Sequence, residues 1–359
     1  MLVTLIVFLL ILSVLVMVHE LGHFLAAKKF GIFVEEFGIG LPPRIFGIRI
    51  GETVYSVNWL PIGGFVKLYG EEGDMPAAKK QKIPKNRAFY ARPVWQRVIV
   101  ISAGVVMNFL LAITVISYIF TQGVMVPSDR VHIEKIVEDS PAESAGLEQG
   151  DIIKTMIVDG RQITVKTGDD LIKTTSQNLG RELTIVIERE GREMQVSITP
   201  RKEYPEDQGP MGVVISAFEE KKYSLSEAPI AGLQQSLMLS WVLVKGIALT
   251  LWKVITFQSV SKDVAGPIGI AQMTGEAIKF GRNAVLEMLG LLSLNLAIVN
   301  ILPFPALDGG RLLFILIEGA TGRRVKTNWE RYIHQAGMAI LLFLILMVTV
   351  NDLVRIFSK

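Results

Sequence analysis

Four stretches of the chain are apolar over a length that can cross a bilayer, and they predict four membrane-spanning helices. Each is close to the twenty or so residues that the hydrocarbon core requires. They cover residues 1–26, 95–122, 284–306 and 333–355. A fifth apolar stretch, 229–257, also contains glutamine and lysine side chains. Because such side chains are costly in hydrocarbon, this stretch predicts an amphipathic helix that lies in the interface.

The pattern changes between the second and third apolar stretches, where short segments alternate between polar and apolar residues. Two of them, 152–158 and 162–165, flank an Asp159-Gly160 pair, which predicts a hairpin. The sequence Ser140-Pro141-Ala142-Glu143 predicts a short helix with a capping box. Together these signals predict a compact β-rich domain over 131–217.

A further alternating segment, Thr53 to Leu60, ends at Pro61-Ile62-Gly63-Gly64 and predicts a β-hairpin over 50–69. Such a hairpin can offer a free strand edge to an unwound peptide. The residues expected to make that contact are Thr53, Val54, Tyr55, Ser56 and Val57. A plain surface hairpin accounts for the pattern equally well.

These elements predict an α-helical polytopic membrane protein with an inserted β-rich domain and a β-hairpin. Four regions follow: an N-terminal membrane part (1–122), the β-rich domain (123–217), an amphipathic linker (218–283) and a C-terminal membrane part (284–359). Lysine and arginine are concentrated in the loops after the first and third spans. The positive-inside rule therefore places both loops in the cytoplasm, and the β-rich domain and both termini outside.

Composition agrees with a protein that has both membrane and soluble parts, since 50% of residues are hydrophobic and 20% are charged. The formal net charge is only +3, and no basic cluster carries interleaved aromatic residues, which argues against a nucleic-acid partner. The chain contains no cysteine. Disulfides and thiolate ligands are therefore excluded, and any metal must be held by histidine and carboxylate.

The sequence His19-Glu20-Leu21-Gly22-His23 follows a run, Met1 to Val18, that has no charged side chain. Two histidines four residues apart lie on one face of a helix, so both imidazoles can bind one metal ion. The glutamate between them can take a proton from water. The alternative is a pair of satisfied polar residues at a helix end. Ionisable side chains at membrane depth usually mark function, which favours a zinc site.

A catalytic zinc usually has three protein ligands, and Asp308 is predicted as the third. It ends an apolar run that Pro303 and Pro305 interrupt, and irregular backbone at membrane depth needs a protein-lined or wet cavity. The two following glycines are expected to let the backbone pass close to the metal. The alternative is a loop carboxylate that caps the next helix. His334, at the start of the last span, is interpreted as an interfacial residue rather than a ligand.

Asn108 and Asn300 are polar residues within apolar helices. One interpretation is a hydrogen bond between helices. The other is that their amides bind the substrate backbone or the transition-state oxygen. The sequence leaves both interpretations open.

Taken together, these motifs resemble the site-2 protease family, in its bacterial branch of the regulator-of-sigma-E protease type with a PDZ domain between the second and third spans. The resemblance extends along most of the chain. It rests on His19-Glu20-x-x-His23, Gly63-Gly64-Phe65-Val66-Lys67, Gln96-Arg97 followed by Gly104 and Asn108, Gly266-Pro267, and Asn300-x-x-Pro303-x-Pro305-x-Leu307-Asp308-Gly309.

The resemblance implies an intramembrane zinc endopeptidase in the bacterial inner membrane. In it His19, His23 and Asp308 bind Zn²⁺, Glu20 activates water, and residues 50–69 form a re-entrant hairpin. The expected partners are the lipid bilayer, single-span membrane proteins already trimmed outside (anti-sigma factors or signal-peptide remnants) and a peptide ligand of the PDZ-like domain.

Two departures from the family pattern affect these expectations. Val105 stands where relatives usually have proline, so the helix kink that proline would produce is not expected with the same force. The chain also has room for one PDZ domain, whereas some relatives have two. An alternative of another class is a PDZ scaffold or quality-control receptor with a vestigial metal site. Metal content distinguishes the two.

Overall fold

The computed structural model describes residues 1–71, 83–205, 208–256, 266–325 and 327–357. These residues form two compact units. One contains Met1–Ile119 and Ser224–Lys359, and the other contains Phe120–Tyr223. The first unit holds the long apolar helices and the sequence motifs described above, and the second holds the β-rich segment.

The first unit is built largely from helices. In chain order these are α1 (Leu2–Lys29), α2 (Val94–Gln122), then, after the second unit, α5 (Ala228–Ile255), α6 (Pro267–Phe280), α7 (Arg282–Ile301), α8 (Asp308–Thr321) and α9 (Thr327–Phe357). Within the described residues, five helices are long and apolar enough to cross a membrane: Leu2–Lys29, Val94–Gln122, Ala228–Thr250, Arg282–Ile301 and Asn328–Val354. Many of their large apolar side chains are exposed, which suits contact with lipid.

Four of these helices coincide with the predicted spans, and the fifth, α5, is the predicted interfacial stretch. Its most apolar 18-residue window has a mean hydropathy of 1.2, the lowest of the five. The third predicted span extended to 306, whereas α7 ends at Ile301 and Leu302 is already extended (φ −62°, ψ 140°). Pro303 explains the difference, because a proline disfavours helical geometry in the residue before it. Helix α6 lies in the predicted linker, of which residues 257–265 are outside the described part of the chain.

A β-sheet follows α1 and is larger than the predicted hairpin. Strand β1 (Val34–Ile50) and strand β2 (Thr53–Leu68) pair antiparallel around a turn at Gly51-Glu52. Each strand folds back on itself, so the sheet has four arms: 34–41, 44–50, 53–60 and 64–68. The prediction missed β1 because Pro42 and Pro43 interrupt its alternation, although they only divide the strand into two arms.

The predicted free edge at Thr53 to Val57 is wrong, because this arm has neighbours on both sides. Val54 lies opposite Arg49 on one side and Glu36 on the other, and Val57 lies opposite both Phe46 and Ile39. The outer arms are instead 44–50 and 64–68, each with a recorded partner on one side only. A peptide adding to this sheet must therefore use one of these outer arms.

The sheet is fixed to the helices by a buried apolar cluster and by an ionic anchor at its turn. Ala27 of α1, Val34 and Leu68 of the sheet, Val100 of α2 and Ile315 of α8 belong to one core. At the turn, Arg87 makes two hydrogen bonds to Glu52, and Lys28 makes another at 2.7 Å. These cations lower the pKa of the Glu52 carboxyl to about 2, the Arg87 hydrogen bonds most of all.

The second unit is a sheet with two helices. Its sheet order is β7-β6-β4-β3-β8, with β5 paired to β4, where the strands are β3 (Val124–Ile136), β4 (Ile152–Val158), β5 (Arg161–Thr164), β6 (Leu183–Arg189), β7 (Arg192–Ile198) and β8 (Val213–Lys221). Helix α3 (Pro141–Ser144) has the predicted cap, with the Glu143 amide donating to the Ser140 hydroxyl. Helix α4 (Gly168–Gln177) is capped by Thr167.

Strand β8 was not predicted, and it places an apolar groove at the edge of this sheet. The groove has a volume of about 170 Å³ and lies between α4 and the start of β8. Its lining includes Leu171, Ile172, Met211, Val213 and Ile215. Because β8 ends the sheet, its outer backbone is available to an added strand.

Candidate metal centre

The two histidines of α1 and the aspartate of α8 lie together at a buried point of the first unit. His19 and His23 are 6% and 8% exposed, respectively. The His19 Nε2 atom lies 2.8 Å from Asp308 Oδ2 and 3.1 Å from His23 Nε2, and His23 Nε2 lies 3.2 Å from Asp308 Oδ2. Among the described residues this is the group of histidine and carboxylate side chains able to hold a metal ion.

The spacing of these three atoms fits zinc. Tetrahedral coordination with bonds of about 2.0–2.1 Å places ligand atoms roughly 3.3 Å apart. Two imidazole nitrogens and one carboxylate oxygen, each able to donate a lone pair, converge at this spacing. Lone pairs so close together at a buried site repel one another unless a metal ion or a proton lies between them, and a zinc ion satisfies all three at once.

The hydrogen bonds behind the histidines direct both Nε2 atoms toward one point. His23 Nδ1 donates to the Val100 carbonyl at 2.8 Å, which leaves its Nε2 lone pair free. The Asn108 amide lies 3.3 Å from His19 Nδ1, and Asn108 Oδ1 has no other partner among the described residues. When the Asn108 amide is rotated by 180°, its oxygen accepts a hydrogen bond from the Nδ1–H group of His19. Both atoms then have a partner.

Asn108 is completely buried, and its contact is with His19. This position favours a role in orienting His19 over the predicted contact with substrate. Asn300 is different, because its Nδ2 lies 3.4 Å from His19 Nε2, on the metal side of the ring, and the residue is only partly buried. A contact with substrate remains the prediction for Asn300.

Helix α2 approaches the histidines so closely that only glycine fits at position 104. A Cβ atom on Gly104 would lie 2.6 Å from His23 Nε2 and 2.8 Å from His19 Nε2. The helices meet at a second glycine, since a Cβ on Gly22 would overlap the Ala103 carbonyl. Helix α2 continues without interruption through Val105, so the proline of relatives is not needed for this approach.

Asp308 is delivered by the loop that follows α7. It is the first residue of α8, and Gly309 and Gly310 have no room for a Cβ because the Leu302 and Phe304 carbonyls lie against them. The glycines thus let the loop pack against the start of α8. The sequence had predicted instead that they let the backbone pass close to the metal. The far end of α8 is held by Arg97, which donates two hydrogen bonds to Glu318 at 2.6 and 2.9 Å.

A cavity of about 590 Å³ opens beside these side chains. Glu20, His23 and Asp308 line it, and so does the outer arm of the sheet from Phe65 to Leu68. Gly64 is close to Glu20, since its Cβ position is 3.8 Å from Glu20 Cγ. The predicted base and one free strand edge therefore face the same space.

Sequence reasoning missed two side chains near this cavity. Arg311 of α8 forms an ion pair with Glu71, just beyond the sheet. His334 of α9 accepts a hydrogen bond at 3.0 Å from the Ala306 amide, in the loop that leads to Asp308. Both contacts join residues far apart in the chain, and no local pattern signals them. The available signal for His334 was a histidine at the start of an apolar span, which the sequence analysis interpreted as an interfacial residue.

The fold and the site define a membrane-embedded metalloprotease, with an HExxH helix inside an apolar span. Residues 7–344 match the profile of Peptidase family M50. The chain is 31% identical to the regulator of sigma-W protease RasP of Bacillus subtilis and 32% identical to the zinc metalloprotease RasP of Bacillus licheniformis, with 99% of each chain covered. It is 30% identical to RasP of Geobacillus kaustophilus over 98% of this chain and 97% of that one.

The chain therefore belongs to Peptidase family M50. It is a zinc metalloprotease and a membrane protein with a β-rich part. These comparisons confirm the resemblance on which the sequence analysis relied, as well as the enzyme class and the metal.

Proposed function

We propose that the chain is an intramembrane endopeptidase that cleaves the transmembrane segments of single-span proteins, with His19, His23 and Asp308 as zinc ligands and Glu20 as base. The observation that carries the proposal is the position of the site. His19 and His23 lie on α1, one of the helices apolar enough to span a membrane, and with Asp308 they lie beside a cavity large enough for an extended peptide. Mass spectrometry of products from a single-span substrate should locate the cut inside its apolar segment. Cuts confined to the soluble flanks would contradict the proposal.

The residues of the site suit hydrolysis of a peptide bond. Held by His19, His23 and Asp308, a zinc ion would supply a Lewis acid that polarises the scissile carbonyl and makes water more acidic. The Glu20 carboxylate takes a proton from the attacking water and passes it to the leaving nitrogen as the C–N bond breaks. The Asn300 amide can donate a hydrogen bond to the oxygen on which negative charge develops.

The outer arm 64–68 is proposed to hold the substrate as an added strand. Helical peptide bonds are shielded, so a transmembrane helix must unwind before cleavage, and unwound backbone in a membrane needs new hydrogen-bond partners. This arm has a free edge and lines the cavity with Glu20. It takes the role that the sequence analysis gave to Thr53 to Val57.

Proline at the two outer arms gives a matched test of this role. Val66→Pro places proline on the arm beside Glu20, where it cannot donate to a substrate strand and should slow cleavage on the order of tenfold or more. Ile48→Pro places the same residue on the opposite outer arm and should leave cleavage nearly unchanged. Both variants should keep zinc. Equal rates for the two folded variants would rule out strand addition at 64–68.

The arrangement of helix ends supports the interfacial interpretation of α5. Near its start, Gly232 packs on Ser117, close to the end of α2. At the start of α6, the Gly269 amide donates to Asp352 near the end of α9, and Gly275 packs on Thr4 near the start of α1. All these contacts lie at the helix ends opposite the metal centre. Helices α5 and α6 therefore start on the same side of the membrane. A single membrane crossing by α5 would place their starts on opposite sides.

The proposed topology therefore places residues 120–223 outside the cell and the metal-centre ends of the helices toward the cytoplasm. The cysteine-free chain allows a clean test with single cysteines at Ser176 and Asn86, both exposed. In intact cells an impermeant thiol reagent should label Ser176→Cys and spare Asn86→Cys. After lysis both should react. Labelling of both in intact cells would contradict this topology.

The second unit is proposed to be a PDZ-like domain that binds or restricts the trimmed ends of substrates. The groove between α4 and the edge strand β8 supports this, because its apolar walls and free strand edge suit an extended peptide. The Bacillus subtilis relative is named for regulation of sigma-W. By analogy, trimmed single-span regulators of a sigma factor are the proposed substrates, in the bacterial inner membrane.

A further inference from the structure

The loop that delivers Asp308 rests on α9, the last helix, at two adjacent points. The Ala306 amide donates a hydrogen bond to His334 Nδ1 at 3.0 Å. One turn further along α9, Gly337 has no room for a Cβ, which would lie 2.6 Å from the Pro305 oxygen. His334 and Gly337 are three residues apart and share one face of the helix. This face of α9 therefore carries the loop.

The backbone of Ala306 needs this support. Its φ is +80°, in the left-handed region that residues with a Cβ rarely adopt. Such a conformation persists when surrounding contacts enforce it. The hydrogen bond to His334 is the contact that the structure records for this amide, and Ala306 lies only two residues before Asp308.

The imidazole of His334 is oriented by two contacts. Because Nδ1 accepts the hydrogen bond from Ala306, the ring is neutral and its proton is on Nε2. Phe314 of α8 packs against it in an edge-on arrangement, with ring centroids 5.8 Å apart. The ring thus connects α9, the loop and the helix that begins with Asp308.

We propose that His334 is a positioning residue for the zinc ligand Asp308. It holds Ala306 in its left-handed conformation and so sets the direction in which the chain enters α8. The inference rests on the proposed ligand set. It assigns a role in metal binding to a residue outside the HExxH helix and the Asp308 loop.

Two amide substitutions separate the hydrogen bond from the bulk of the ring. Asparagine places an acceptor near the position of Nδ1, whereas glutamine places its amide near the position of Nε2. His334→Asn should therefore keep zinc affinity within about threefold of wild type. His334→Gln and His334→Leu should lose about 10- to 100-fold, as for other groups that orient metal ligands. Zinc affinity is measured by chelator competition on full-length protein carrying Glu20→Gln, so that activity plays no part.

A second-site change tests the reason for the loss. Ala306→Gly removes the conformational penalty at position 306, so it should restore part of the zinc affinity of His334→Leu. Equal affinity in the three His334 variants, or equal losses in the asparagine and glutamine variants, would overturn the positioning role. A wild-type chain without zinc would overturn the proposed ligand set itself, so the two failures are distinguishable.

Discussion

Glu20→Gln should reduce peptide cleavage by about 10²- to 10⁴-fold and leave zinc binding unchanged. The reduction follows because glutamine cannot take the proton from water, and general-base catalysis is typically worth this much. Zinc remains because the ligand atoms of His19, His23 and Asp308 are untouched, and Glu20 is not one of them. Cleavage of a single-span substrate and metal content are measured on the same purified samples.

Glu36→Gln is the matched control for this substitution. Glu36 lies in the same unit and pairs with Arg44 of the sheet, and it does not belong to the candidate metal-binding group. The Glu36→Gln variant loses one carboxylate, as Glu20→Gln does, but its cleavage rate should stay within a few-fold of wild type. A Glu20→Gln enzyme that retained most of its activity would remove Glu20 from the proposed chemistry.

Gly104→Ala should abolish both zinc binding and cleavage. The added methyl group would lie 2.6 Å from His23 Nε2 and 2.7 Å from His19 Cε1, so the rings must move or the helices must separate. Metal geometry does not tolerate such a displacement, since ligand distances have to be held within about 0.2 Å. Zinc content after purification is the direct measurement.

Gly246→Ala provides the control for Gly104→Ala. It makes the same chemical change in the apolar helix α5, where a Cβ atom meets nothing within 4 Å. Alanine favours a helix over glycine by about 1 kcal/mol, so this variant should be at least as stable as wild type and fully active. Full zinc content in Gly104→Ala would show that the histidines are not held as the structure has them.

The metal motif and four of the long helices could be predicted because their signals are local. Apolar runs of fixed length and two histidines one turn apart need no knowledge of the fold. Asp308 was predicted from its setting of prolines and glycines. The structure then places its Oδ2 atom 2.8 Å from His19 Nε2, although 289 positions separate the two residues.

The arrangement of the sheet could not be predicted for the opposite reason. Which arm of a sheet is free depends on pairing between distant residues, such as Val54 with both Glu36 and Arg49. The alternation of Thr53 to Leu60 correctly indicated a strand, but a strand pattern does not say how many neighbours the strand has. The same limit applies to His334 and Gly104, whose importance depends on the element that packs against each of them.

Zinc stoichiometry is the measurement that tests the central claim most directly. Purified wild-type protein should contain about one zinc ion per chain, and the His19→Ala/His23→Ala double variant should contain almost none, because two of three protein ligands are gone. The double variant should still insert and fold, since burial of α1 depends mainly on its apolar residues. Equal zinc in the two proteins would contradict the assignment of this site.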